Sequence, residues 1–284
     1  MSGHQPMPGE KKSSPRKIKK RQILKREIQR NKKLAAVYFI LRLFVIAVMV
    51  AQFLNRDFQN VFLCLLTLIL FTLPGIIEHR FQIDVPDTLE IIILLFIFSA
   101  EILGEIREFY VTLPGWDTML HTVNGFLAAA IGFSLVDILN REERIALSLS
   151  PFFVAVTAFC FSMTIGVIWE FFEYAMDCFF NMDMQKDTVI HTIRSVALHP
   201  EGRNIPVVIE DIHSVAVNGV TLNIDGYLDI GLHDTMKDLL VNFLGATVFS
   251  VIGYFYVKSR GKGRFASRFI LRRSERHPLT EADE

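Results

Sequence analysis

The chain has 284 residues, of which 51% are hydrophobic and 25 are phenylalanine, with a mean hydropathy of +0.35 and a formal net charge of zero. This composition argues against an ordinary soluble domain and against a nucleic-acid-binding protein, and it fits a multi-span membrane protein. The zero net charge hides a segregation: residues 1–33 carry twelve Lys/Arg against Glu10 and Glu27, residues 258–276 carry eight against Glu275, and the body between, 34–257, has a net charge of −14.

Residues 1–33 form a basic arm that fixes topology or lies on anionic lipid, with Ile18, Leu24 and Ile28 as the apolar positions of a weak amphipathic helix. The apolar run that follows is too long for a cleaved signal, and further spans come after it. Span 1 is expected over residues 34–54, a length that matches ~30 Å of hydrocarbon. Arg42 interrupts it and should face the bundle and pair. Span 2 is expected over 61–77, with Pro74-Gly75 near its end. Asp87, with Glu90 three residues on, reads as the N-cap of span 3, residues 88–103. This span leads into Glu101, Glu105 and Glu108, spaced i, i+4, i+7.

Leu113-Pro114-Gly115-Trp116 is a turn with Trp116 at interface depth. Span 4 opens at Asp117, with His121 and Asn124 on the same helical face, and runs to residue 139. Ser150-Pro151 pairs an N-cap with proline at the first helical position, which starts span 5. Near its end Glu170, Glu173 and Asp177 fall at i, i+3 and i+7, three carboxylates on one face. Each would cost ~2.5–3.5 kcal/mol at a bilayer centre, and less near the interface. Residues 178–233 turn polar, with short β-like runs and an Asn218-Gly219 hairpin turn, and read as an extramembrane insertion. Span 6 covers 234–257, with Asp234, Asp238 and Asn242 at i, i+4, i+8, and a basic tail, 258–284, closes the chain. Cys64, Cys160 and Cys178 have no paired spacing, so neither a disulfide framework nor a cysteine-rich zinc site is implied.

The expected fold is therefore an all-α membrane bundle of six spans: helices 1–5 within residues 34–177, a small β-containing insertion over 178–233, and helix 6 over 234–257. Six spans place both termini on one side, and the basic ends make that side cytoplasmic. The stripes at the end of span 3, the start of span 4, the end of span 5 and the start of span 6 then converge on the outer leaflet. Asp117-Thr118-Met119-Leu120-His121, Asp187-Thr188-Val189-Ile190-His191 and Asp234-Thr235-Met236-Lys237-Asp238 share one form. Each reads as a capped helix start, the second opening a short interfacial helix, and capping leaves unexplained the His or Asp one turn later. Asp117, His121, Glu170, Glu173, Asp177, Asp234, Asp238 and Asn242 are the candidate ligand-binding residues. Of these, Asp117, His121, Glu170, Asp234 and Asp238 are oxygen and imidazole ligands suited to a divalent metal cation. No metalloprotease helix, phosphate-binding loop, nucleophile elbow or EF-hand loop is present.

Several of these residues carry a family resemblance. Gly115-Trp116-Asp117 with His121 and Gly125, Trp169-Glu170 with Glu173 and Asp177, Met184-Gln185, and Gly226 to Gly231 leading into Asp234-Thr235-Met236, Asp238, Asn242 and Gly245 resemble the YjdF-like family of bacterial inner-membrane proteins. The likeness covers residues 34–256 and implies the fold and the place of the site, with no reaction attached. A looser similarity runs to the VanZ-like family. There Asp117/His121 and Asp238/Asn242/Gly245 fit, and Glu173 stands where that family's pattern has Gln.

Four functions stay open. The cluster can hold a cation or a lipid or cell-envelope headgroup. It can serve a membrane enzyme on a lipid-linked substrate, with Glu170 or Glu173 as general base and His121 as acid or metal ligand. It can belong to a proton-coupled carrier. It can also be an interhelical hydrogen-bond network that fixes the bundle. The ligand, the enzymatic status and the oligomeric state are not legible in the sequence.

Overall fold

A computed structural model describes residues 32–140 and 149–273. The basic arm up to residue 31, with Ile18, Leu24 and Ile28, and the end of the basic tail from residue 274, lie outside the described residues. The chain divides between Phe71 and Thr72 into two compact units.

The first unit holds α1 (Lys32–Leu54) and α2 (Phe58–Leu70). Asp57 caps α2 by accepting the Asn60 amide at 3.1 Å. Most of α1 is exposed, including Phe39, Leu43, Phe44 and Phe53, an apolar surface that only lipid or another apolar partner can cover. Arg42 corrects the expectation of an inward-facing charge. It is exposed, and its guanidinium sits 5.1 Å from the centre of the Tyr38 ring one turn back. Of the three free cysteines Cys64 is buried, and Cys160 and Cys178 are exposed.

The second unit begins with α3 (Leu73–Phe81), β1 (Ile83–Asp84) and α4 (Asp87–Phe98). The cap of α4 is Pro86, and Asp87 lies one residue inside the helix, where it and Glu90 still complement the helix dipole. α4 runs without a break into a π-helical segment, Ser99–Ile106. Glu101 and Glu105 stay close together within it, and Glu108, beyond its end, leaves the stripe that α-helical spacing implies. Glu108 instead adopts a left-handed backbone, φ 58°, and turns the chain into the short α5 (Phe109–Thr112).

Three long helices make the core: α6 (Trp116–Asn140), α7 (Pro151–Phe180) and α8 (Leu232–Lys258). Ser150 caps α7 by accepting the Phe153 amide at 3.2 Å, with Pro151 at the first position, as the sequence implies. Small residues set how closely the helices approach. A Cβ at Gly125 would strike the Asn242 backbone, and one at Gly245 would strike the Thr122 carbonyl oxygen. α6 and α8 therefore touch backbone to backbone, the packing expected where no hydrophobic effect drives helices together. Farther along the bundle Phe126, Phe133, Phe249 and Phe269 stack edge to face at 5.0–6.4 Å.

That aromatic cluster contains a segment the composition marked as tail. Ala266, Phe269, Ile270 and Leu271 are buried beside Ile83, Leu89 and Phe133. The Leu271 amide donates to Ser134 Oγ at 2.9 Å, and β8 (Arg272–Arg273) pairs antiparallel with β1. The insertion between α7 and α8 is built from β2 (Val189–Ile190), β3 (Ile193–Ser195), β4 (Val207–Ile209), β5 (Ala216–Val217), β6 (Val220–Thr221) and β7 (Tyr227–Leu228). These pair as β2–β7, β3–β4 and β5–β6. Asn218 (φ 53°) and Gly219 (φ 80°) form the expected two-residue turn between β5 and β6. Thr188 to His191 do not open a helix. Val189 and Ile190 are β2, held there by the β7 ladder.

Five helical stretches among the described residues are long and apolar enough to cross a membrane: Lys32–Leu54, Phe58–Phe81, Trp116–Asn140, Pro151–Phe180 and Leu232–Lys258. The remaining expected span corresponds to twelve-residue α4 and the eight-residue π segment after it.

Candidate ligand site between the core helices

The site lies where the start of α6, the end of α7 and the start of α8 meet. Asp117 falls in the first turn of α6 and Asp234 in the first turn of α8, whose cap is Gly231, so neither is itself the cap. Their charge still favours a helix N-terminus. One turn on, His121 and Asp238 point into the seam between the helices. Asp238 is 1% exposed and His121 8%.

His121 is the hub. Its Nε2 lies 3.4 Å from Asp117 Oδ1 and 3.8 Å from Asp238 Oδ2, and its Nδ1 lies 3.9 Å from Glu170 Oε1. One nitrogen of His121 and one oxygen each of Asp117 and Asp238 fall within 4.8 Å of one another, close enough to share an ion. Glu173 is engaged elsewhere: its Oε1 accepts the Trp169 indole N–H at 2.8 Å. Asn242, one turn below Asp238, accepts from Asn124 Nδ2 at 3.4 Å and donates to the Ser162 carbonyl at 3.4 Å. Gly166 leaves room for this amide, for a Cβ there would lie 2.7 Å from Asn242 Nδ2.

Asp177 and Asp234, grouped with the ligands in the sequence, anchor the insertion instead. Asp177 accepts the Met184 and Gln185 amides at 2.5 and 2.9 Å, and Asp234 accepts the Lys186 amide at 2.8 Å. Gln185 Nε2 donates to Thr235 Oγ1 at 2.6 Å. Asp229 accepts from the Thr188 and His233 amides and from the His233 ring at 2.5–2.7 Å. Burial pushes the Asp229 carboxyl up, and these donors outweigh it, holding the group below its usual range. At Asp187 burial and then the nearby Asp183 and Asp229 carboxylates push the other way and raise it.

The sequence pattern misses two participants. Lys237 Nζ reaches Asp117, Asp234 and Asp238 at 3.7, 3.5 and 3.8 Å. Its signal was legible as an i, i+3 pair with Asp234, hidden by the emphasis on acids. Tyr110 follows the π segment, and its ring fills the space that a side chain at Gly104 would need. Burial, then the carboxylates of Glu105, Asp117, Glu101 and Glu173, hold its phenol above the usual range. The end of the α4–π helix therefore lies at the same end of the bundle as Asp117.

The buried polar balance is one-sided. Asp117 Oδ2, Glu170 Oε2 and Asp238 Oδ1 are buried without a hydrogen-bond donor, as is the Trp116 indole N–H without an acceptor. Asp117 and Asp238 retain their loose ion pairs to Lys237, whereas Glu170, 5% exposed, faces His121 Nδ1 at 3.9 Å and the Thr235 and Gln185 side chains. An unsatisfied buried oxygen costs ~1–3 kcal/mol, and more when charged. The Asp117 and Asp238 oxygens gathered at His121 Nε2, with Glu170 on the Nδ1 side of the ring, are chemically suited to a divalent cation or to a ligand rich in N–H donors.

Among curated proteins and among solved structures, none matches this chain. A family model described as a predicted membrane protein, DUF2238, matches residues 36–259, which takes in every helix and side chain of the site. The chain therefore belongs to the DUF2238 family of membrane proteins.

Proposed function

We propose that this membrane protein binds a divalent cation at the outer end of its helix bundle, with Asp117, His121 and Asp238 as ligands and Glu170 beside the other ring nitrogen of His121. The observation that carries the reading is the Asp117–His121–Asp238 triangle between α6 and α8, in which Asp117 Oδ2 and Asp238 Oδ1 are buried without a hydrogen-bond donor. Lys237, half exposed, occupies the mouth of the site and can swing into solvent when a cation enters. The cation arrives free or on the phosphate of a lipid headgroup, and both present the same charge to the same oxygens. A membrane enzyme is the second reading, with Glu170, buried beside His121, in the place of a general base.

In the proposed topology the chain crosses six times with both termini cytoplasmic, as the basic ends imply. The pairing of β1 with β8 supports that count. Between residue 84 and residue 259 lie the α4–π helix, α6, α7 and α8. Four crossings return a chain to the side it left, whereas three would leave the paired strands on opposite faces of a bilayer.

The test is Mn²⁺ binding to the full chain by electron paramagnetic resonance, in detergent and in nanodiscs with and without anionic lipid. Stoichiometric binding lost in Asp238→Asn and Glu170→Gln is the expected result. Binding seen only with anionic lipid identifies the headgroup route. Absence of binding in every setting, or full binding in both variants, refutes the proposal and leaves an interhelical polar network.

A further inference from the structure

A second group of ligating side chains lies outside the helices, in the insertion. We propose that His191, His213 and Asp225 form a surface site for a divalent transition metal of the zinc class, and that the ion staples the insertion. One nitrogen of each imidazole and one Asp225 oxygen lie within 4.8 Å of one another. The three come from separate segments: His191 follows β2, His213 follows β4, and Asp225 precedes β7.

The surroundings orient them. His191 Nδ1 sits 2.9 Å from the Ile212 carbonyl oxygen, while the Ile212 amide donates to the His191 carbonyl at 3.0 Å. A ring whose Nδ1–H is held by a backbone carbonyl presents Nε2 as the free electron pair, the usual arrangement behind a metal-bound histidine. His213 Nδ1 lies 2.8 Å from Asp225 Oδ1, and the two imidazole centres are 5.6 Å apart. Gly226, at φ 147°, lets β7 lie flush on β2, because a Cβ there would sit 2.5 Å from Val189 Cγ1 and 2.9 Å from the Ile190 oxygen. That contact is what brings Asp225 beside His191. Tetrahedral zinc with bonds of ~2.0–2.1 Å needs ligand atoms ~3.3 Å apart. Side-chain rotation supplies the closure, since all three residues are exposed. Two imidazoles and one carboxylate, with water in the open position, suit zinc better than calcium or magnesium.

The insertion has a use for such an ion. Ile212 is its one buried apolar side chain among the described residues, and its strands are two or three residues long. Strands this short need tertiary support. An ion on His191, His213 and Asp225 ties β2, the approach to β5 and the approach to β7 into one unit.

The experiment uses the full chain in detergent, titrated with Co²⁺ followed by its visible absorption and with Zn²⁺ by calorimetry, alongside His191→Ala, His213→Ala and, for the helix site, Asp238→Asn. The expected result is a tetrahedral Co²⁺ spectrum and a Zn²⁺ affinity that falls at least ~10–100-fold in each histidine variant, with both unchanged in Asp238→Asn. Zn²⁺ at ~100 times its Kd should also slow proteolysis of residues 187–231 by ~100-fold in the parent, as linkage requires, and not in His213→Ala. Zn²⁺ binding that survives both histidine variants, or is lost only in Asp238→Asn, overturns the proposal while leaving the helix site standing. Loss of Mn²⁺ binding alone has the converse meaning.

Discussion

The backbone contact between α6 and α8 can be tested by adding one methyl group. In Gly125→Ala the new Cβ would collide with the Asn242 carbonyl oxygen and lie 2.9 Å from that residue's carbonyl carbon and Cα. Ordinary contact begins at 3.4 Å and the carbonyl oxygen is the nearest atom, so the helices must part by roughly 1 Å in an interior packed like a crystal. The partner is backbone and cannot rotate away, which puts the cost near the upper end of the overpacking range, ~3 kcal/mol. Alanine's better helix propensity returns ~1 kcal/mol, for a net loss of ~2 kcal/mol. Gly75→Ala is the comparator, for nothing lies within 4 Å of its Cβ position. Unfolding of both variants in mixed micelles should show Gly125→Ala destabilised and Gly75→Ala at or above the parent. Because Asp117 and His121 ride on α6 and Asp238 on α8, Gly125→Ala should also weaken Mn²⁺ binding. A Gly125→Ala protein as stable as the parent, with binding intact, would refute the close seam.

Other perturbations probe the charges and the topology. Lys237→Met removes an ammonium 3.5–3.8 Å from three carboxylates; the ion-free protein should lose stability and Mn²⁺ affinity should rise by up to roughly fivefold, since a half-exposed pair is worth no more than ~1 kcal/mol. Glu170→Gln should fold at least as stably as the parent, having lost a buried charge, yet bind less Mn²⁺ by calorimetry. Asp229 titrates below the ordinary carboxylate range, so its stabilisation is complete above that range and is lost as pH falls through the lower, folded value; proteolysis of the insertion should accelerate at acid pH in the parent and be accelerated at all pH values in Asp229→Asn. Single cysteines replacing Asp84 and Arg273 should both be labelled from the cytoplasmic face, and one replacing Val217 from the outer face, in a protein freed of its own cysteines; labelling of 84 and 273 from opposite faces would exclude the six-crossing topology.

Much of the fold was legible because a membrane imposes simple periodicities. The starts of α6, α7 and α8, the Ser150-Pro151 cap and the Asn218-Gly219 turn are written in local chemistry. The convergence of Asp117, His121, Glu170 and Asp238 followed from span count and direction, and the structure brings these four together. What stayed hidden depends on three-dimensional competition. The π segment and the left-handed turn after it cannot be read from α-helical spacing, which is why Glu108 leaves the line of Glu101 and Glu105. Asp177 and Asp234 look like Asp238 in sequence, and only the fold of the insertion shows that backbone amides claim them. Arg42 seemed to demand a buried partner, yet its own helix supplies the Tyr38 ring.

The segment carrying Phe269, Ile270 and Leu271 has a bearing on biogenesis. It is translated after every membrane-length helix, yet it fills the space between the starts of α3's outgoing strand and α4 and the end of α6, and its Leu271 amide satisfies Ser134. This end of the bundle therefore cannot reach its final packing before that segment is made. Until residues 266–273 emerge, the hollow lined by Leu89, Phe133 and Phe249 stays open to solvent or to a chaperone, so final packing is a step that follows insertion. A chain cut after Lys258 would keep every long helix and still arrive unfinished.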